Sequence, residues 1–429
     1  MKNNIHSNLT VTPFISSLVI LITLSFFSCR KDIAQDPAND VVDLVPEWQH
    51  DMDTLDNKQF VFSKPGVYQG DPVFTVYSLS GCNYGTADMV TSIHSETGLK
   101  QWGFNLDNPC AYHGNYVHLH DNILVINSTN HLQGYDLKTG NKLWEIEFFG
   151  NPYFSGAAAQ GFGDRLFLEV YSGYKFQENT SALMEINVNT GQHRILIEYD
   201  LVTNYGSPGV NPPTLWLNPA DGDSILFFLH GYKNLNQNIF FPNGSLSAFS
   251  LKEDKILWRL DSLGRYKKGH SKPVIYDNKV YTYMEKKLYC IDATSGEQLW
   301  DFAVDTAISG VEPFDWWNIV AYEGKIIAGA SDYGMYCFDA NTGQIIWHNI
   351  QHQIAASYEL VVHNDAVYFY SNFFRHMVGV DVHSGNIICN IKTPKNGTYF
   401  NGEIITFDEE KNLLYLTDNW STYAYRPVR

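Results

Sequence analysis

Charge is what this chain has least of. Only 17% of its 429 residues are Asp, Glu, Lys or Arg, and acids outnumber bases 46 to 29. A disordered chain would carry more charge and fewer aromatics, whereas 27 Tyr and 26 Phe can fill a large core. The net charge of −17 repels phosphate backbones, which argues against nucleic acid as a partner. Cysteine is scarce as well. Six are present, none adjacent and none arranged as Cys-x-x-Cys, which argues against a zinc site or a disulfide framework. Cys82 and Cys110 are the one pair considered for a bridge. Gly-x-Ser-x-Gly, His-Glu-x-x-His and phosphate-cradling glycine loops are missing, and with them the commonest hydrolase, metalloprotease and nucleotide signatures. Asp221-Gly222-Asp223 lacks the further ligands and distal Glu of a calcium loop.

One apolar run stands out, from Phe14 to Phe27, behind Lys2. It has about the length of a signal-peptide core and is too short to span a bilayer comfortably. It ends at Ser28-Cys29, and a small residue directly before Cys at this place resembles a bacterial lipobox, with Phe26 where Leu is usual. The expectation is a lipoprotein signal peptide over 1–28, lipidation of Cys29 and a tether over 29–47, rich in Ala, Asp, Asn and Pro. A plain secretory signal is the alternative. Cleavage would remove Lys2 and no acid, taking the net charge from −17 to −18.

The rest of the chain repeats. A hydrophobic residue, Asp, two or three variable residues and Thr/Ser-Gly are followed, four residues after the Gly, by Trp. The clearest copies place Asp136, Gly140 and Trp144; Asp292, Gly296 and Trp300; and Asp339, Gly343 and Trp347 in these roles. Weaker copies run through Gly98 with Trp102, Asn187 with Gly191, Asp254 with Trp258, and Asp381 with Gly385. The turn positions 98, 140, 191, 254, 296, 343 and 385 lie 42, 51, 63, 42, 47 and 42 residues apart. A period in the forties with several short strands per unit suits an all-β propeller of four-stranded blades. Asp bonds turn amides, Gly accepts positive φ, and Trp offers a large wedge between blades.

This phrase resembles the repeat of pyrroloquinoline-quinone-like (PQQ-like) propellers, over about residues 68–425. Ile195 and Cys389 replace Trp, and Asp254 replaces Gly. Seven hairpins are complete, and an eighth begins at Thr422-Tyr423-Ala424-Tyr425 but lacks an outer strand. Glu47-Trp48-Gln49 can supply it, since an unpaired outer edge would invite aggregation. Eight blades over 48–429, closed by this N-terminal strand, are therefore favoured, with seven the alternative.

Subtracting the framework leaves the residues that do not repeat. His118 and His120 share a strand face, but His120-Asp121-Asn122 lines up with Tyr276-Asp277-Asn278, an ordinary turn, so no metal is assigned. Residues just before each inner strand line the central funnel. Among them His113, His270, Glu312 and Asn401 are polar groups that could bind a ligand or partner. Aromatic surfaces are expected in the stretch 199–247, with Trp216, and at Phe314, Trp316 and Trp317.

Fold and anchor together resemble the propeller lipoprotein of the outer-membrane barrel-assembly machinery. The resemblance implies a non-enzymatic, monomeric scaffold on the outer membrane that docks to a membrane-associated protein complex through loops on one face. The PQQ-like name also implies a quinone- or metal-dependent oxidoreductase, but quinoprotein dehydrogenases typically carry two adjacent cysteines and none occur here. No PQQ or calcium is therefore expected. A glycan-binding surface lipoprotein, with polysaccharide as partner, is the second alternative. If Cys29 is the lipidation site, Cys29→Ser will abolish incorporation of labelled palmitate and release the protein from membranes; label retained by the variant would refute the assignment.

Overall fold

The computed structural model describes residues 41–51, 60–62, 66–78, 90–105, 117–128, 131–147, 160–171, 180–200, 210–232, 243–264, 272–284, 287–304, 319–330, 334–349, 360–371, 375–395, 399–400, 405–418 and 420–428. Among them there is no helix, and the strands form eight sheets. One unit shows why. Val274–Tyr276, Lys279–Met284, Lys287–Asp292 and Gln298–Ala303 pair as an antiparallel meander. Asp277 and Asn278 take positive φ, 49° and 56°, and so close the first hairpin in two residues. The two middle strands are buried almost throughout, because both faces of the sheet pack on neighbouring sheets. The outer strand is largely exposed and alternates.

The same meander recurs over 66–104, 117–147, 160–200, 214–260, 319–349 and 361–391, giving blades 1 to 4, 6 and 7, with 274–303 as blade 5. Inner strands of successive blades lie side by side, and the sheets form the ring of a β-propeller. Blade 8 is built from both ends of the sequence. Ile405–Asp408, Leu413–Thr417 and Ser421–Tyr425 supply three strands, and Pro46–Asp51 is the fourth, with Trp48 opposite Ala424 and Gln49 opposite Tyr423. Eight blades closed by the N-terminal strand is thus the architecture. Val42–Leu44 adds a parallel fifth strand to blade 7, so paired chain begins inside the segment read as a tether.

The repeated phrase makes both the turn and the blade junction. Asp339 Oδ1 accepts the amides of Asn341 and Thr342 at 3.1 and 2.8 Å, and the Gly343 amide bonds the Asp339 carbonyl at 2.9 Å. The amide and hydroxyl of Thr342 hold the Asp339 carboxyl below its usual pKa. Gly343 takes φ +69°, and Trp300 of the preceding blade lies on it: a Cβ there would stand 2.7 Å from Trp300 Cδ2. The indole N–H donates to the Ala340 carbonyl at 3.2 Å, inside the same turn. Trp48 on Gly98, Trp144 on Gly191, Trp258 on Gly296 and Trp347 on Gly385 repeat both contacts.

Each indole also needs room inside its own blade. The residue opposite Trp across the hairpin is Ser92, Gly134, Ala248, Cys290, Cys337 or Ala424, always small. Cys290 and Cys337 are therefore space-makers, and burial pushes their thiols up to about 11 and about 12. Where Ile195 replaces Trp, its partner grows to Met184. The departures are linked across junctions too. Blade 3 lacks the Trp, blade 4 lacks the Gly, and Arg194 instead reaches Asp254 at 2.8 Å. Cys389 faces Gly379 and has no turn glycine to cover, since the outer strand of blade 8 comes from the N-terminus. Between blades 1 and 2, Phe104 covers Gly140 and Trp102 stacks on Phe104.

Gly343→Ala and Gly324→Ala separate the two roles of glycine. Both positions have φ near +70°, but nothing lies within 4 Å of a Cβ at Gly324. Each substitution should lose about 1–2 kcal/mol from the backbone, and Gly343→Ala clearly more, because the indole must move. Trp300→Ala should lose about 3–5 kcal/mol. Denaturant midpoints test this; equal losses at the two glycines would disprove the latch.

Candidate functional site

Many residues read as functional lie outside the described residues: Cys29, the funnel group His113, His270, Glu312 and Asn401, the aromatics Phe314, Trp316 and Trp317, and Cys82 with Cys110. Trp216 is described, and it corrects the expectation of an aromatic loop surface. It sits in the strand Thr214–Leu217, is 8% exposed, and packs on Phe227 with ring centres 5.9 Å apart. Much of the stretch 199–247 that is described is regular strand. Ser224–Tyr232 and the beginning of Asn243–Ser250 are the middle strands of blade 4, somewhat longer than those of blade 5.

The histidines of blade 2 serve packing. The His118 ring lies over Gly161 of blade 3, and its Nε2–H donates to the Gly163 carbonyl at 3.1 Å. Burial lowers its pKa. His120 faces Asp121 at 3.6 Å. Both imidazoles lie near Gly163 of blade 3, and so pack one blade on the next.

A more unusual polar group lies where blade 4 begins. The Val210 amide donates to Glu169 Oε1 at 3.2 Å, Val210 bridges to His230, and the Asn211 amide bonds the Leu229 carbonyl. His230 Nε2 is 2.9 Å from Ser247 Oγ. This resembles a nucleophile–base pair, but His230 is 1% exposed and Ser247 0%, so no substrate reaches them. Burial, with Arg259 nearby, also pushes the imidazole down to about 3, and so weak a base cannot take a serine proton near neutrality. The group holds blade 4 against blade 3.

Two further features are accessible. Leu257, Leu299, Ile345 and Ile346 are exposed near the starts of the outer strands of blades 4 to 6, beside the last hairpin turn of each blade. Glu323, Asp365 and His383 bring three metal-type donor atoms within 4.8 Å of one another. Sequence reasoning missed this second group, because its members come from three turns of two blades, and only the repeat alignment could have brought them together.

With this geometry in hand, similarity to known proteins can be weighed. The family model described as outer membrane protein assembly factor BamB matches residues 242–404, which run from the middle of blade 4 to the start of blade 8, where the repeat is most regular. No curated protein sequence matches the chain. The crystal structure of BamB from Moraxella catarrhalis superposes with a TM-score of 0.58 at 15% identity, covering 90% of this chain and 100% of that one. Quinohemoprotein alcohol dehydrogenase ADHIIG from Pseudomonas putida HK5 gives 0.53 at 10% identity, covering 90% and 78%. A europium-containing methanol dehydrogenase gives 0.57 at 10% identity, covering 90% and 95%. At these identities the likeness concerns the fold.

His230 predicts a pH dependence. Its folded pKa, about 3, lies below the unfolded value of 6.5, so the unfolded chain binds the proton first. Its share of stability is intact above pH 6.5 and is lost as pH falls towards 3. Between pH 6.5 and 4.5 the native protein should lose about 2.3 kcal/mol more than His230→Gln. Parallel pH profiles of unfolding free energy for the two proteins would contradict it.

Proposed function

We propose that this chain, a PQQ-like β-propeller resembling BamB, is a non-enzymatic scaffold. It is anchored to the outer membrane through Cys29, faces the extracytoplasmic side, and docks to a membrane protein complex through one face. The observation that carries this reading is the superposition on the full length of a BamB chain, supported by the family match over 242–404. The Ser28-Cys29 sequence supports the anchor. Exposed apolar residues beside the turns, such as Leu299 at 44% and Ile346 at 46%, support protein contact.

The two dehydrogenases of the same fold favour a second reading, a quinone- or metal-dependent oxidoreductase. Against it, the sequence has no adjacent cysteines, and the described cysteines are buried, with Cys389 pushed up to about 12 like Cys337. Neutral, enclosed thiols are poor redox or nucleophilic groups. A glycan-stacking role draws no support from Trp216, which is buried, and rests on Phe314, Trp316 and Trp317.

Photo-crosslinking residues placed separately at Leu299 and at Trp317, in cells, test the scaffold reading. A discrete membrane-protein adduct at either position is expected, and Leu299→Glu should weaken co-purification without moving the melting temperature. No adduct from either position, together with turnover of an alcohol by the purified protein given quinone and calcium, would replace it with the oxidoreductase.

A further inference from the structure

Two junctions one blade apart differ in how positive charge is placed. Between blades 5 and 6, the Lys279 ammonium sits between two oxygens, 3.2 Å from Asp277 Oδ2 and 3.0 Å from Asn341 Oδ1. The repeat puts Glu323 and His383 in the corresponding places between blades 6 and 7. Glu323 follows Tyr322 as Asp277 follows Tyr276, and His383 stands two residues after Asp381 as Asn341 does after Asp339. Asp365, from the first hairpin of blade 7, adds a third donor. Lys325, the counterpart of Lys279, keeps only the backbone contact, its ammonium 3.4 Å from the Glu323 carbonyl as that of Lys279 is from the Asp277 carbonyl. Among the described residues it makes no ion pair with any of the three side chains.

The geometry suits a bound cation. His383 Nε2 and Asp365 Oδ1 are 3.4 Å apart. Two ligands at about 2.0–2.1 Å from a tetrahedral centre would be separated by about 3.4 Å. All three donor atoms lie within 4.8 Å of one another, close enough for side-chain rotation to complete the set. Asp365 Oδ1 also accepts the Tyr322 hydroxyl at 2.9 Å, the kind of outer hydrogen bond that orients a ligating carboxylate. Asp365 is itself fixed by a backbone bond from the Val382 amide, and the His383 amide is held by Asp381 Oδ1 at 3.0 Å.

We propose that Glu323, Asp365 and His383 bind one divalent transition-metal ion that ties blade 6 to blade 7. One imidazole and two carboxylates suit zinc, cobalt(II) or manganese. Calcium would demand six to eight oxygens, which three side chains do not supply. Three protein ligands leave a coordination position open to water or to a donor from a docked partner. The residues lie on accessible turns, so the ion exchanges with solvent, and the neighbouring Lys325 ammonium opposes its binding.

Titration of the chelator-stripped, full-length protein with zinc chloride by calorimetry, and with cobalt(II) followed by visible absorption, tests the site. One equivalent should bind, with a tetrahedral cobalt spectrum and a raised melting temperature. His383→Ala and Asp365→Asn should each weaken binding by about tenfold or more, and Tyr322→Phe by about tenfold. Lys325→Met should tighten it. The melting temperature of each metal-free variant, set against metal-free wild type, separates loss of a ligand from loss of fold. No stoichiometric binding, or binding that survives both His383→Ala and Asp365→Asn unchanged, would overturn the proposal.

Discussion

The structure depends on one contact repeated around a ring: a tryptophan of one blade laid flat on the turn glycine of the next. The contact works only if the glycine has no side chain and tolerates positive φ, as Gly343 does at +69°. It is anchored by the indole N–H on a carbonyl of the same turn, as from Trp347 to Val382 at 2.8 Å. It also needs a small residue behind the indole. Gly134 behind Trp144 shows how tightly: a Cβ there would stand 2.3 Å from the ring. Junction, turn and cross-strand pair are three aspects of a single packing unit.

That unit explains the places where the repeat fails. Ile195 and Asp254 are two halves of one exchange, in which an apolar wedge gives way to a surface ion pair between Arg194 and Asp254. The pair is exposed, so it contributes less than the indole it replaces, and the buried group of Glu169, Val210 and His230 reinforces the same junction. Cys389 stands where no latch is required, because blade 8 has no outer hairpin. The N-terminal strand closes the ring there, and Trp48 supplies the latch onto blade 1 that the C-terminal strands do not carry.

Function then falls to residues outside the unit. Chemistry that looks catalytic in isolation, such as His230 with Ser247, is sealed inside the ring, while the accessible polar groups sit on turns. Turns of neighbouring blades approach each other at every junction, so a change of a few side chains converts a lysine bridge, as at Lys279, into the three-donor group of Glu323, Asp365 and His383. A propeller can in this way change its surface chemistry junction by junction without disturbing the latches beneath.

The propeller of meander blades, their number and the N-terminal closure were legible in the sequence, because each follows from a local pattern recurring at a fixed period; the extra strand Val42–Leu44 was not. Trp216 was expected on a surface, but its place in the strand Thr214–Leu217 and its burial against blade 5 are properties of the assembled sheets, which spacing along the chain does not show. The meeting of Glu323, Asp365 and His383, and the exchange of latch for ion pair at Arg194 and Asp254, were decided by the tertiary structure. Side chains far apart along the chain become neighbours only when one blade packs on the next, and a period read along one chain carries no distance between its units.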